Sequence, residues 1–333
     1  MDTSTHIVMG LGLGALAHVS PAVQQHPELA AAIMLGTILG SNAPDFDYIF
    51  RLKSNGDYIR QHRGLSHSLF AIPIWAFVIS YLLYISFPSI PFFPVFLWTF
   101  VAVILHVLFD VMNFYGTQAL RPFTKEWISL NFIPLFDPII FLMICFGFVI
   151  YFLEGPLGLT FLYVWIGIGV QCSVRYFLKL HHQLLLKRHF DFDLSVSERI
   201  TLLPTYFFFK WNFIIEKDTE YVLGTIHITK MKIMRKLIKE DLSKKLIEKS
   251  KSDKNVQHFL ASTNYAFPIV NDRINLVEWV DLRYRKQEHF PFKVIVKLDN
   301  VGNIISSTIG YHHREKVKKK YLPVKIAKTV DYK

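Results

Sequence analysis

Between residues 68 and 178 the chain carries four apolar stretches, at about 68–87, 94–115, 135–153 and 158–178, each long enough to cross a bilayer. A crossing takes roughly 20 apolar residues rising about 1.5 Å each. No water at that depth can satisfy the backbone, so each segment has to close its own hydrogen bonds as a helix. Two shorter segments, about 7–20 and 29–43, precede them and are rich in Gly and Ala. Small residues let helix backbones approach closely, so a tightly packed hairpin is expected there. The sequence thus predicts four to six hydrophobic helices forming a mainly α-helical integral membrane domain over residues 1–180.

The texture changes near residue 181. Residues 1–180 hold 8 Lys and Arg against 9 Asp and Glu, a net charge of −1; residues 181–333 hold 29 against 17, a net of +12. The chain's overall +11 therefore belongs to its second part, read as a basic α+β cytoplasmic domain over 181–333. The stretches 206–216 and 219–229, separated by Lys217-Asp218, predict a β-hairpin. Over 231–250 the apolar positions Met231, Met234, Leu237, Ile238, Leu242 and Leu246 fall at helical spacing, predicting a helix with one apolar stripe and one lysine face. Two more strands are expected at 275–286 and 292–309, the latter turning at Asp299-Asn300-Val301-Gly302.

Orientation follows from the loops. The connection 44–66 carries Arg51, Lys53, Arg60 and Arg63, and 116–134 carries Arg121 and Lys125, whereas the links near 88–93 and 154–157 carry no Lys or Arg. The positive-inside rule places both basic loops and the second domain in the cytoplasm of a multi-pass protein of the cell (inner) membrane. The start of the chain has Asp2 and no Lys or Arg before its first apolar stretch, so no cleaved secretory signal is assigned. Cys145 and Cys172 both lie in apolar runs and read as core residues.

That topology gathers the ionisable residues of the first domain. His6 opens the first segment, Asp45 and Asp47 close the second, His62 and His67 precede the third, His106 and Asp110 end the fourth, and Asp137 starts the fifth. All fall at the cytoplasmic face, although they span some 130 residues of sequence. Charges beside apolar segments are costly unless paired or ligating, and a shared metal site is the economical reason for so many. His106 and Asp110, at i and i+4, share one helix face. Imidazole and carboxylate together suit a divalent metal, zinc first, with manganese or iron as alternatives. Four histidines and three aspartates exceed one tetrahedral set, so two ions sharing an aspartate are expected. The three carboxylates Asp45, Asp47 and Asp110 are also the candidate catalytic groups. Arg63 and Arg121, in the surrounding loops, are candidate phosphate clamps because a guanidinium forks onto phosphate oxygens. Taken singly, each has a plainer reading: Asp45, Asp47 and Asp137 as helix caps, His6 and His62 as interfacial histidines, and the arginines as positive-inside anchors.

Asp2-x-x-Thr5-His6, Pro44-Asp45-x-Asp47, His62-Arg63-Gly64-x-x-His67-Ser68 and His106-x-x-x-Asp110 occur in that order. In these motifs residues 1–180 resemble the YdjM-like family of bacterial inner-membrane-associated metal-dependent hydrolases. The resemblance implies a helical metal-binding domain distantly similar to zinc-dependent phospholipase C and related single-strand nucleases, with the His106/Asp110 pair carried over at that deeper level.

The leading expectation is a hydrolase of a phosphoester or other ester in an amphiphilic substrate at the cytoplasmic leaflet. The alternative is a membrane-tethered adaptor or regulator acting through its basic domain. For that domain the anionic leaflet is a nearer partner than nucleic acid, although the aromatic run Tyr206–Phe209 with Trp211 could stack on bases. The pairs His181/His182 and His312/His313 read as surface. A transporter would place ionisable groups near the membrane midplane, and here they cluster at one face. There is no phosphate-cradling Gly-rich loop ending in Lys-Ser/Thr and no Gly-x-Ser-x-Gly elbow.

Overall fold

The computed structural model describes residues 1–52, 62–190, 198–239, 244–285 and 289–312. Its N-terminal part is helical: α1 (Thr3–Leu16), α2 (Pro21–Gln25), α3 (Pro27–Gly40), α4 (Ala71–Ser86), α5 (Phe92–Met112), α6 (Pro138–Phe152) and α7 (Leu157–His189). Each long helix coincides with one of the six apolar segments. Asp2 caps α1 by accepting from the Thr5 N–H, and Asp137 caps α6 by accepting from the Ile139 and Ile140 N–H groups, with Pro138 in the first turn. After α3 the chain tightens into a 3-10 run, Ala43–Leu52, where Pro44 blocks a continued α-helix.

Two of these helices, α5 and α7, are long and apolar enough to cross a membrane. At 16 and 15 residues, α4 and α6 reach only about 24 Å at 1.5 Å per residue, short of a hydrocarbon core of about 30 Å. Outward faces of the helices are apolar: Tyr163 is 71% and Phe177 66% exposed on α7, and Phe146 on α6 is 62% exposed. Such surface suits lipid better than water.

Close approach of α1, α3 and α5 is what brings the polar ends together. A Cβ added at Gly10 of α1 would overlap the Ser41 hydroxyl and lie 2.8 Å from the Ile38 Cα. One added at Gly40 of α3 would sit 2.9 Å from the Thr99 carbonyl oxygen of α5. The small residues of the first two segments are contact points between backbones, as helix packing in lipid favours.

Two compact units are formed. One comprises Met1–Asp47, His62–His181 and Pro204–Phe208; the other comprises the described residues within Tyr48–Gln61, His182–Leu203 and Phe209–Lys333. The second unit holds two four-stranded sheets. The first runs β1-β2-β3-β4 (Arg199–Pro204, Lys210–Glu216, Glu220–His227, Lys230–Ile238). The second runs β5-β6-β7-β8 (Ala266–Asn271, Leu276–Asp281, Phe292–Leu298, Ile304–Tyr311), with α8 (Lys244–Ser250) and α9 (Lys254–Ser262) between the two sheets in sequence. Trp211, Phe213, Leu223, Phe259, Val277 and Val294 are fully buried. The β2–β3 hairpin turns at Lys217-Asp218 as the sequence predicts, and the β7–β8 turn is built on Asp299, whose carboxylate accepts from the Val301, Gly302 and Asn303 N–H groups.

Two expectations are corrected. Residues 230–238 form strand β4, paired antiparallel with β3, and among the described residues of the stretch expected to be helical only 244–250 are so. Across 230–237 the lysines 230, 232 and 236 alternate with Met231, Ile233 and Leu237, a period-2 pattern that strand pairing selects over the helical one. His182 is 1% exposed and meets the Trp211 ring edge-on at 5.7 Å, whereas its neighbour His181 is exposed. Adjacent helical side chains point about 100° apart, so a histidine pair divides between inside and outside. Lys53, Arg60, Leu242 and His313 lie outside the described residues.

Candidate metal centre

Four donor groups converge at the ends of α3 and α5 and on the loop before α4. The Nε2 atoms of His67 and His106 are 3.2 Å apart. Asp45 Oδ1 lies 3.4 Å from His67 Nε2 and 3.7 Å from His106 Nε2. Asp110 Oδ2 lies 3.4 Å and 3.7 Å from the same two nitrogens. In a tetrahedral site with bonds of about 2.0–2.2 Å, neighbouring donor atoms stand about 3.4 Å apart. The two imidazole nitrogens stand at such spacing from each other and from both carboxylate oxygens, 3.2–3.7 Å, and all four donors lie within 4.8 Å of one another.

The donors are also prepared for an ion. Asp45 Oδ1 and Asp110 Oδ2 are buried and accept no hydrogen bond among the described residues, a costly condition for carboxylate oxygens unless a cation meets them. His106 Nδ1 is 2.6 Å from the Ser41 carbonyl oxygen, which can only accept, so Nδ1 carries the proton and the Nε2 lone pair faces the cluster. His67 Nδ1 is 3.0 Å from the Ser66 hydroxyl, which in turn donates to Asp47 Oδ2 at 2.8 Å. That chain fixes His67 in the same tautomer. Burial pushes the His67 imidazole below its ordinary range even with Asp45 and Asp47 pulling it up, and a neutral imidazole is the ligating form. Burial pushes the Asp45 and Asp47 carboxyls up, but the surrounding histidines outweigh it and hold both below the usual carboxylate range.

The remaining expected residues take different places. Asp47 accepts from His62 Nδ1 at 2.8 Å, from the Arg63 N–H at 2.9 Å and from Ser66, so it orients the loop that carries His67. With Asp45 and His62 it forms a second group of donors within 4.8 Å of one another. The 2.8 Å contact is a hydrogen bond, shorter than the spacing of two ligands on one ion. His6 is buried, stacks on the His106 ring with centroids 3.8 Å apart, and sets its Nε2 3.5 Å from the other oxygen of Asp110.

Arg63 is buried as well. A left-handed backbone, φ 60°, turns its N–H onto Asp47 and sends its guanidinium to Asp110 Oδ1 at 3.1 Å and Asn113 Oδ1 at 3.2 Å. It balances the charge of Asp110. Arg121 lies in the loop whose Gln118 N–H donates to the Arg63 carbonyl, and its side chain makes no hydrogen bond or ion pair among the described residues. Asp137 is buried on α6 and pairs with Arg175 Nε at 2.7 Å.

Asn113, Ser66 and the Ser41 carbonyl escaped the sequence reading. Asn113 donates to Asp110 Oδ1 at 3.0 Å while its own Oδ1 accepts from Arg63 and from the Tyr115 and Gly116 N–H groups. Its position at i+3 from Asp110, on the same helix face, is the signal that could have found it. The α-amino group of Met1 also contacts Asp110 and lies 3.0 Å from His6 Nε2.

Comparison with known proteins places the two parts of the chain separately. Residues 1–179 match the family described as YdjM inner membrane protein, and residues 245–321 match the YfhP C-terminal alpha/beta plait domain. A relative in Bacillus subtilis (strain 168), described as "Uncharacterized protein YfhP", is 36% identical over 328 residues, covering 96% of this chain and 98% of that protein. No solved structure matches. With its helical half matched throughout and its convergent histidines and aspartates lying inside that half, the chain belongs to the YdjM inner membrane protein family.

Proposed function

We propose that this chain is a multi-pass, membrane-embedded metal-dependent hydrolase of a phosphoester or other ester in an amphiphilic substrate. The observation that carries the reading is the pair of buried carboxylate oxygens, Asp45 Oδ1 and Asp110 Oδ2, that accept no hydrogen bond and face two imidazole nitrogens at tetrahedral spacing. His67, His106, Asp45 and Asp110 would hold the ion, with zinc ahead of manganese and iron for a mixed nitrogen and oxygen set. Asp45, Asp47 and His62 offer a second position that shares Asp45, and His6 flanks the first through Asp110. A divalent ion held there supplies Lewis-acid polarisation of a carbonyl or phosphoryl oxygen and acidifies the water it binds.

The protein's own groups divide the remaining work. Asp45, with a side chain 19% exposed, is the ligand that solvent and substrate can reach, and it is our candidate general base. Ser66 and Asp47 hold His67 in its ligating tautomer, and Arg63 with Asn113 holds Asp110. Arg121 is the better candidate for a substrate phosphate, since Arg63 is committed to Asp110. The basic loops and the basic second unit favour a cytoplasmic site, with membrane lipid the nearest partner. The test is elemental mass spectrometry of detergent-purified protein beside His106→Ala and Asp110→Ala. Metal in the parent that is lost in both folded variants is the expected result; no metal in the parent, even after titration, defeats the proposal.

One observation favours the adaptor reading. Lys230, Lys232 and Lys236 are exposed along β4, an edge strand whose basic face could meet an acidic partner. Under that reading, neutralising the three lysines would abolish function while the ligand variants retain it.

A further inference from the structure

The turn at 204–208 has the wrong composition for water. Tight turns use Gly, Asn, Asp and Ser, which supply backbone freedom and polar side chains. Here the sequence is Pro204-Thr205-Tyr206-Phe207-Phe208, and Tyr206 and Phe207 are 61% and 59% exposed, with rings 4.6 Å apart.

The turn is held beside a membrane-crossing helix. Pro204–Phe208 belongs to the compact unit that contains α1 to α6 and most of α7. Arg175 of α7 sits 5.0 Å from the centre of the Phe208 ring and reaches the Thr205 carbonyl at 3.5 Å. Arg175 is itself fixed by Asp137, the cap of α6, so the turn is tied through one buried ion pair to the start of α6 and the late part of α7.

Position along α7 gives the depth. From Leu157 to Phe177 the helix holds one charged residue, Arg175, and at about 1.5 Å per residue that length covers roughly 30 Å, one hydrocarbon core. Lys179 follows, and beyond it come Lys187 and Arg188. Arg175 therefore marks the level where the apolar span ends. Exposed aromatic rings at that level belong to the belt that Tyr and Trp form between headgroups and acyl chains.

We propose that this turn is a membrane-interface anchor, with Tyr206 and Phe207 seated among the lipids of the leaflet at the C-terminal end of the α7 span. The occupant is the bilayer itself, and the anchor continues the lipid-facing surface that Phe177 ends. The proposal rests on α7 crossing the membrane and is independent of any metal.

The experiment places a benzophenone amino acid at Phe207 of the full chain, reconstituted in nanodiscs of phosphatidylethanolamine and phosphatidylglycerol. A second sample carries it at Tyr163, the exposed mid-span position. After illumination, a mass shift equal to one phospholipid at position 207, at a yield comparable to position 163, is the expected result. Lipid adducts at 163 with only intrachain adducts or none at 207 overturn the anchor and leave the span intact. Absence of lipid adducts at both positions overturns the anchor together with the membrane reading of α7.

Discussion

The two units handle charge in opposite ways. Residues 1–180 carry almost no net charge, yet the helical unit buries its ionisable groups: His6, His67, His106, Asp110, Asp137 and Arg175 are each 1% exposed or less. The basic unit carries nearly all the excess positive charge and keeps much of it in solvent. Its ion pairs Lys236–Glu220 and Lys239–Glu216 lie partly in water, with lysine side chains 51% and 30% exposed. Net charge points to the second unit as the place of interest, whereas burial points to the first. Solvated charges are weakly coupled to the fold, while buried ones persist only where partners or a ligand compensate them.

That contrast can be broken by substitution. The largest effect on stability is expected for Arg175→Met, which leaves Asp137 buried without its partner; breaking such a pair costs about 3–5 kcal/mol. Thermal unfolding in detergent reads the change, and a melting temperature equal to the parent's would show that the pair contributes nothing. Ser66→Ala should be milder. It cuts the hydroxyl relay between His67 and Asp47 without touching a ligand, and loss of such an outer partner lowers metal affinity about 10–100-fold. Competition with a graded chelator series measures it, and an unchanged affinity would remove Ser66 from the site.

A third comparison uses pH on metal-free protein. The His67 imidazole is held below its ordinary value in the fold, mainly by burial, so below about pH 6.5 the unfolded chain binds a proton that the folded one refuses. Stability should fall as pH drops below that point. His67→Gln should flatten the fall; an identical pH profile in parent and variant would refute the assignment. The smallest effect is expected for Lys236→Ala, within about 1 kcal/mol in urea unfolding, as for other exposed pairs. A larger loss there would mean that the second unit also relies on its charges for folding.

The six helices were legible because long apolar runs separated by polar residues mark them off, and two of them, α5 and α7, are long and apolar enough to cross a membrane. The convergence of Asp45, His67, His106 and Asp110 was legible because each stands where an apolar segment meets a polar loop. What the sequence could not apportion was rank among the candidate ligands. Asp45 and Asp47 stand two residues apart with the same chemistry, and the 3-10 turn after α3 sends one into the cluster and the other onto His62, Arg63 and Ser66. Arg63 read as a clamp for substrate; its left-handed backbone instead turns it inward to Asp110. The stretch at 231–250 misled because its apolar positions satisfy a helical period as well as an alternating one, and only pairing with β3 selects between them.

Sequence by itself therefore determined the helical class of the first half, the pointing of Asp45, His67, His106 and Asp110 to a shared site, and the basic character of the second half. Each of these depends on local hydropathy and on charge, which are properties of the chain. The tertiary structure alone decided which atoms converge to 3.2–3.7 Å, which residues orient them, and that Arg175 ties a distant aromatic turn to the late part of α7. These follow from close contacts between elements far apart in sequence, such as the Gly10 and Gly40 crossings, whose geometry no single segment specifies.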